Sequence, residues 1–292
     1  MRCLRCFLLV PLLLGAAELR VDHVTVAGRD LKTMMDHLAA IGISCEYGGA
    51  HSNHATEMAL TSFPDGSYLE LIAPPPNANA KALATHVWTR YMQNNAGPCA
   101  WAIQSADLAG EGKRLQRTGE RMSLPERSGR ERPDGQRLEW ETAQIGEEPR
   151  GTFFPFAIRD LTPRQNRAFL HGKPTTEDFT GVARVVIAVR DLRASVQRYE
   201  KVYVLSPLVE QVDTSFGAHL ALFTGTPVVL ATPLQANSWL TARLEQWGEG
   251  PCGFILRAQK AQHYKQVSKT RWDVTEISWF DTAKLGWHLG FE

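Results

Sequence analysis

The chain has 292 residues, long enough for two domains at roughly 150 residues each. Hydrophobic residues make up 43% and charged residues 22%, which excludes a disordered chain, a collagen-like fibre and a polytopic membrane protein. Lys and Arg total 32 against 31 for Asp and Glu, a net charge of +1 without the basic excess that a nucleic-acid binder needs.

Residues 1–17 read as a secretory signal peptide. Arg2 and Arg5 give a positive start, Phe7 to Leu14 an apolar core, and Gly15-Ala16-Ala17 small residues for cleavage after Ala17. The run is too short to span a bilayer, so the expectation is a secreted or periplasmic protein with no membrane attachment after cleavage. Cleavage shifts the net charge to −1 and leaves Cys45, Cys99 and Cys252, an odd number with no disulfide framework in its spacing.

The first strand alternates, with Val21, His23 and Thr25 on one face and Asp22, Val24 and Val26 on the other. Asp30 is placed to cap a helix whose apolar face is Leu31, Met34, Met35, Leu38 and Ile41, with Gly42 as its stop. Short strands are expected at 44–47, 57–62 and 67–73, the last after the turn Pro64-Asp65-Gly66. Strand, Asp-Leu and helix recur at Asp107-Leu108 and Asp191-Leu192, and a fourth helix is expected around 258–268. The last strand of the second unit is expected near 153–158.

The chain also repeats itself. Arg29-Asp30-Leu31 returns as Arg190-Asp191-Leu192, Gly97-Pro98-Cys99 as Gly250-Pro251-Cys252, and Leu69 to Pro74 resembles Val228 to Pro233. Three matches in one order predict a duplicated, domain-sized unit. Each unit divides into two modules, giving four at about 19–76, 97–160, 181–234 and 251–292. Residues 161–180, with Pro163 and Pro174, are the expected linker.

Glu70 is a carboxylate inside an apolar strand and therefore needs a partner. On these residues alone, a buried hydrogen bond between His23 and Glu70 satisfies it. The segment His51-Ser52-Asn53-His54-Ala55-Thr56-Glu57 is the densest cluster of site-type residues, though a solvated polar loop accounts for it equally. Arg127, Arg130, Arg132 and Arg137 surround the turn Pro133-Asp134-Gly135. They form either a flap for an anionic or carbonyl substrate or an exposed charged loop. Trp88, Trp101 and Trp140 are candidates for a pocket wall or for core packing, and Cys99 and Cys252 read as core thiols. The sequence contains no phosphate-binding glycine loop, paired Cys-x-x-Cys or Gly-x-Ser-x-Gly elbow.

Strand, helix and three strands used in pairs resemble the vicinal oxygen chelate superfamily, which includes glyoxalases, extradiol dioxygenases and bleomycin-resistance-like binding proteins. The first half resembles the glyoxalase-like domain family. Asp22-His23-Val24, Arg29-Asp30-Leu31, Gly48-Gly49-Ala50-His51, Thr56 to Leu60, Gly66 to Pro74 and Arg132 to Gly135 carry the likeness. It is good over 20–160 and weaker over 181–292. It implies an α+β fold of tandem domains built from four βαβββ modules with cupped mixed sheets. It also implies a divalent metal on His23 and Glu70, with zinc, iron, nickel and manganese all compatible with that donor pair. His54 or His51 would complete a set of two His and one carboxylate.

The second module offers Ala100 in place of His23 and no ligand in its last strand. The second half offers Arg184 and Val229 for His23 and Glu70. The expected activity is that of a metal-dependent enzyme of lyase, isomerase or dioxygenase type on a small oxygen-bearing molecule. Glu57 or His54 would move the proton, and His51, Arg130, Arg132 and Trp140 would bind the substrate. The alternative is a non-catalytic small-molecule binding protein of the bleomycin-resistance type.

Overall fold

The structure is a computed structural model describing residues 19–205 and 208–292. The signal segment and its cleavage site at Ala17 lie outside the described residues. The first half runs β1 (Val21–Ala27), α1 (Leu31–Ala39), β2 (Glu46–Ala50), β3 (Glu57–Ser62) and β4 (Tyr68–Ala73). Two short helices follow, α2 (Ala80–Thr85) and α3 (Thr89–Gln93). Next come β5 (Gly97–Gln104), α4 (Leu108–Thr118), β6 (Glu126–Glu131), β7 (Arg137–Ala143) and β8 (Phe156–Asp160).

After α5 (Arg164–Ala168) the plan repeats as β9 (Phe179–Ala188), α6 (Leu192–Tyr203), β10 (Leu208–Asp213), β11 (Ala218–Phe223) and β12 (Val228–Pro233). The chain ends with α7 (Trp239–Trp247), β13 (Gly250–Ala258), β14 (Ser268–Trp272), β15 (Thr275–Trp279), α8 (Thr282–Leu285) and β16 (His288–Phe291). Each half forms one eight-stranded mixed sheet. The orders are β2-β3-β4-β1-β5-β8-β7-β6 and β10-β11-β12-β9-β13-β16-β15-β14, so the same topology occurs twice.

Local chemistry explains the helix starts. The carboxylates of Asp30, Asp107 and Asp191 accept hydrogen bonds from the backbone N–H of Thr33, Gly110 and Ala194, three residues on. Gly119 ends α4 with φ +79°, a conformation open to glycine without steric cost. The fourth module departs from the plan. Where the sequence predicts a helix at 258–268, residues 259–267 form turns and bends between β13 and β14, and α8 lies between the last two strands instead. That segment has no Asp-Leu start to cap a first turn.

The strand expected near 153–158 begins only at Phe156. Phe153 and Phe154 turn instead into the core, where Phe154 meets Tyr199 of the other half at 5.0 Å between ring centroids. Phe63 and Phe179 likewise meet across the halves at 6.5 Å. The helix-bearing faces of both sheets thus share one apolar core. Each large side chain buried there contributes about 1.5–3 kcal/mol. The segment 161–180 contains α5, whose Arg167 is 1% exposed. It is therefore a packed element and not a free linker.

The concave faces of the two sheets differ. The second is filled by its own aromatic side chains, Phe216, Trp239, Trp272 and Trp279. The first keeps a cavity of about 100 Å³, room for several waters or part of a small ligand. An isolated bridge between His51 and Arg130, and a bond from the Ser52 N–H to the Gly129 carbonyl at 2.9 Å, link the two edge strands and draw the cup nearly closed.

Candidate functional site

The cavity is built on the junction of β1 and β4. Their parallel register puts His23 beside Tyr68 and Thr25 beside Glu70. His23, Thr25 and Glu70 are all buried. Thr25 Oγ1 donates to Glu70 Oε2 at 2.9 Å and fixes the carboxylate. The Tyr68 ring stacks on His23 at 4.9 Å and 7°, and Phe156 meets the imidazole edge-on.

Strict alternation puts Asp22 on the opposite face from His23, but the structure does not. The pairing of β1 with β5 slips between Val21 and His23, a β-bulge at Asp22. Asp22 Oδ1 accordingly lies 2.6 Å from His23 Nδ1. Burial opposes ionisation of Asp22, yet Arg167 and Arg164 outweigh it and hold the carboxyl well below the usual range. An ionised carboxylate only accepts, so Nδ1 of His23 donates, and Nε2 is the ring nitrogen left facing Glu70.

His51 is held in a similar way. Its Nδ1 is 2.9 Å from Thr56 Oγ1, and its Nε2 faces Glu70. Burial pushes its pKa down to about 3, so the ring is neutral at physiological pH. Glu70 Oε2 stands 3.6 Å from His23 Nε2, and Oε1 3.7 Å from His51 Nε2. Both distances exceed a hydrogen bond. Two donors at 2.0–2.2 Å from one tetrahedral ion stand roughly 3.3–3.6 Å apart. Among the described residues no three His, Cys, Asp or Glu side chains form a ready-made cage, although each of the two distances from Glu70 is close to that of two donors sharing one ion.

Two neutral imidazoles and a carboxylate are a donor set that suits a divalent ion. The sequence offered His51 both as a third metal ligand and as a substrate-binding residue; its Nε2 faces Glu70.

The remaining candidates separate clearly. Arg130 and Trp140 line the cavity, and Trp140 meets His51 edge-on at 6.2 Å. His54 is exposed, with φ +56°, and lies outside the cavity on the outer side of its loop. Glu57 projects from the opposite face of β3 from the cavity-lining Met58, and accepts from the Tyr47 hydroxyl at 3.0 Å. Neither His54 nor Glu57 is therefore placed to move a proton in this cup. Arg132 also points away. It donates to the carbonyls of Asn166 and Leu170 and pairs with Asp134 at 2.8 Å, tying α5 to the hairpin of β6 and β7.

Sequence reasoning missed His86, Arg150 and Arg167. Arg167 pairs with Asp22 at 2.7 Å and lies 5.6 Å and 5.7 Å over the rings of Tyr68 and Trp140. It stands in the segment read as a linker, where proline and polar composition hid it. His86 lines the cavity, and its Nδ1 accepts from the Trp88 N–H at 3.2 Å. Of the three tryptophans, Trp88 and Trp140 line the cavity, whereas Trp101 lies in the core on the other face of the sheet.

The second module contributes walls and no ligands. Ala102 pairs with Phe156 where Thr25 pairs with Glu70. In the second half Val186 pairs with Val229 in that position, and Arg184 is bound to Glu292 at 2.6 Å. The lost ligands there are replaced by apolar packing and an ion pair.

Two cupped eight-stranded sheets of this order define an α+β protein of tandem vicinal-oxygen-chelate modules. The chain belongs to the glyoxalase-like domain family, whose sequence model matches residues 21–203. The match runs past residue 160, through α5, to the end of α6.

A hypothetical protein from Staphylococcus aureus is similar over 94% of this chain and 99% of its own, at 15% identity and a TM-score of 0.64. A mutant of 4-hydroxymandelate synthase from Streptomyces coelicolor is similar over 83% of this chain and 71% of its own, at 12% identity and a TM-score of 0.51. A xylose isomerase-like TIM barrel/4-hydroxyphenylpyruvate dioxygenase fusion protein is similar over 84% of this chain and 37% of its own, at 12% identity and a TM-score of 0.50. At such identities the likeness shows the fold alone. No curated protein matches the chain.

Proposed function

We propose that the first cup holds one divalent metal on His23 Nε2, His51 Nε2 and the Glu70 carboxylate, and that the protein is an enzyme acting there on a small oxygen-bearing molecule. The observation that carries this reading is the pair of imidazole nitrogens facing the two oxygens of one carboxylate. When bound, the ion supplies Lewis-acid polarisation of a carbonyl or hydroxyl oxygen.

The rest is work for the chain's own residues. Asp22 orients His23, and Thr25 orients Glu70. Trp140, Phe156 and Tyr68 wall the cavity against water. His86, in place of His54, is the candidate hydrogen-bond donor to a ligand oxygen in the cup. Its Nδ1 is occupied as an acceptor, so the neutral ring carries its proton on Nε2. Burial pushes its pKa down to about 4 and keeps it neutral. The N-terminal segment supports an activity exercised outside the cytoplasm.

A second reading, a binding protein without chemistry, is favoured by the missing ligands of the second module. Metal analysis separates the two. About one equivalent of zinc, iron, nickel or manganese is expected in the purified protein, lost in His23→Ala, His51→Ala and Glu70→Ala and kept in His54→Ala and Glu57→Ala. Folded, metal-free wild-type protein after metal supplementation would refute the enzyme reading.

A further inference from the structure

Three arginines line the cavity, and their counter-ions differ. Arg167 is paired with Asp22 and Asp160, and Arg150 with Glu126. Arg130 is 3% exposed, and among the described residues no carboxylate stands within ion-pair distance of it. Its two engaged N–H groups go to the carbonyls of Gly48 and Arg167, both neutral acceptors. Such burial is costly, because carbonyl dipoles restore hydrogen bonds but supply no compensating charge. Burial lowers the Arg130 pKa to about 10, which leaves the guanidinium charged at neutral pH.

The position of Arg130 is as informative as its charge. The bridge that links the sheet edges makes Arg130 the cross-strand neighbour of His51. Among the described residues Glu70 is the only acidic side chain on the cavity wall. Two neutral imidazoles and one carboxylate would leave a divalent ion with a single positive charge, and Arg130 adds a second. With the ion bound, the cup would carry a positive surplus that its own residues do not cancel; without it, Glu70 offsets Arg130.

We infer that the ligand is a small organic monocarboxylate whose carboxylate seats on Arg130 beside His51. This deepens the metal reading above and rests on it for where the rest of the ligand goes. The planar fork of a guanidinium matches the two coplanar oxygens of a carboxylate. Trp88, Trp140 and Phe156 form the apolar wall for the remainder of the molecule.

Calorimetric titration of the metal-loaded protein with propionate, propionamide and inorganic phosphate tests this, with Arg130→Met and Arg130→Lys alongside. Propionate is expected to bind the wild type and propionamide not. Arg130→Met should weaken propionate at least about tenfold, the loss of one charge-assisted hydrogen bond, at unchanged metal content. Arg130→Lys should fall between, since it keeps the charge without the fork. It carries the comparison if Arg130→Met does not fold.

Phosphate binding tighter than propionate, or equal propionate binding in wild type and variants, would overturn the inference. A wild type that takes up no metal yet binds propionate through Arg130 sinks the metal reading and leaves the carboxylate seat standing. Metal uptake without Arg130-dependent binding does the reverse.

Discussion

Asp22 and His23 are consecutive in a β-strand, yet their side chains meet, with Asp22 Oδ1 2.6 Å from His23 Nδ1. The bulge at Asp22 breaks the alternation that would send them to opposite faces. Arg164 and Arg167 then close on the same carboxylate from α5. Asp22→Asn is expected to weaken metal binding by about 10–100-fold, because the histidine loses the anion that orients it and raises its basicity. It should also destabilise the fold by about 3 kcal/mol, since Arg167 stays buried with one carboxylate fewer. Competitive metal titration and urea unfolding check the two effects, and unchanged metal affinity would refute the positioning role of Asp22.

The buried neutral histidines make stability depend on pH. The ordinary pKa of His51 is 6.5 and its folded value about 3. The unfolded chain thus takes up a proton below pH 6.5 that the folded one refuses. Stability is fully present above pH 6.5 and is lost as pH falls towards 3, by up to about 1.4 kcal/mol per pH unit for each such histidine. The metal-free protein should show this slope between pH 6.5 and 4 in urea unfolding, and His51→Gln should reduce it. An identical slope in the variant would contradict a neutral buried His51.

Arg243 joins the two halves. From α7 it donates to the carbonyls of Ala96 and Pro98 in the first half and of Pro251 in the second. Arg243→Ala removes these charge-assisted bonds and is expected to cost about 3 kcal/mol in chemical unfolding. The metal content should not change, because Arg243 does not line the cavity. A variant as stable as the wild type would show that Arg243 does not help to hold the halves together.

Cys45, Cys99 and Cys252 are free thiols, and burial raises the pKa of all three, that of Cys45 and Cys252 to about 12. The thiolate is the reactive form, so none should react quickly with a disulfide reagent in native protein lacking residues 1–17. All three should react after unfolding in guanidinium. One fast native thiol would contradict the burial of that cysteine.

Much of the architecture was legible in the residues. Asp30, Asp107 and Asp191 each mark a helix start, because a short acceptor side chain three residues ahead of an N–H is a local signal. The repeat of Gly-Pro-Cys between Cys99 and Cys252 exposes the duplication, which the matched order of the two sheets bears out. Of the candidate site, Glu70 stood out as a carboxylate within an apolar strand, and the family resemblance paired His23 with it. His51 could be suspected but not separated from His54. Only the crossing of β2 towards β6 turns one inward and leaves the other exposed. Arg167 left no local trace at all, because its partner Asp22 is 145 residues away.

The sequence by itself determined the modular plan, the near-neutral charge and the inequality of the halves, since these depend on local spacing and on which residue types are present. The tertiary structure decided which polar groups face one another. A bulge turned Asp22 towards His23, edge closure set His51 and Arg130 side by side, and α5 brought arginines from a supposed linker into the core. Such meetings depend on register and closure over distances that no local pattern encodes, and they separate a polar loop from a site.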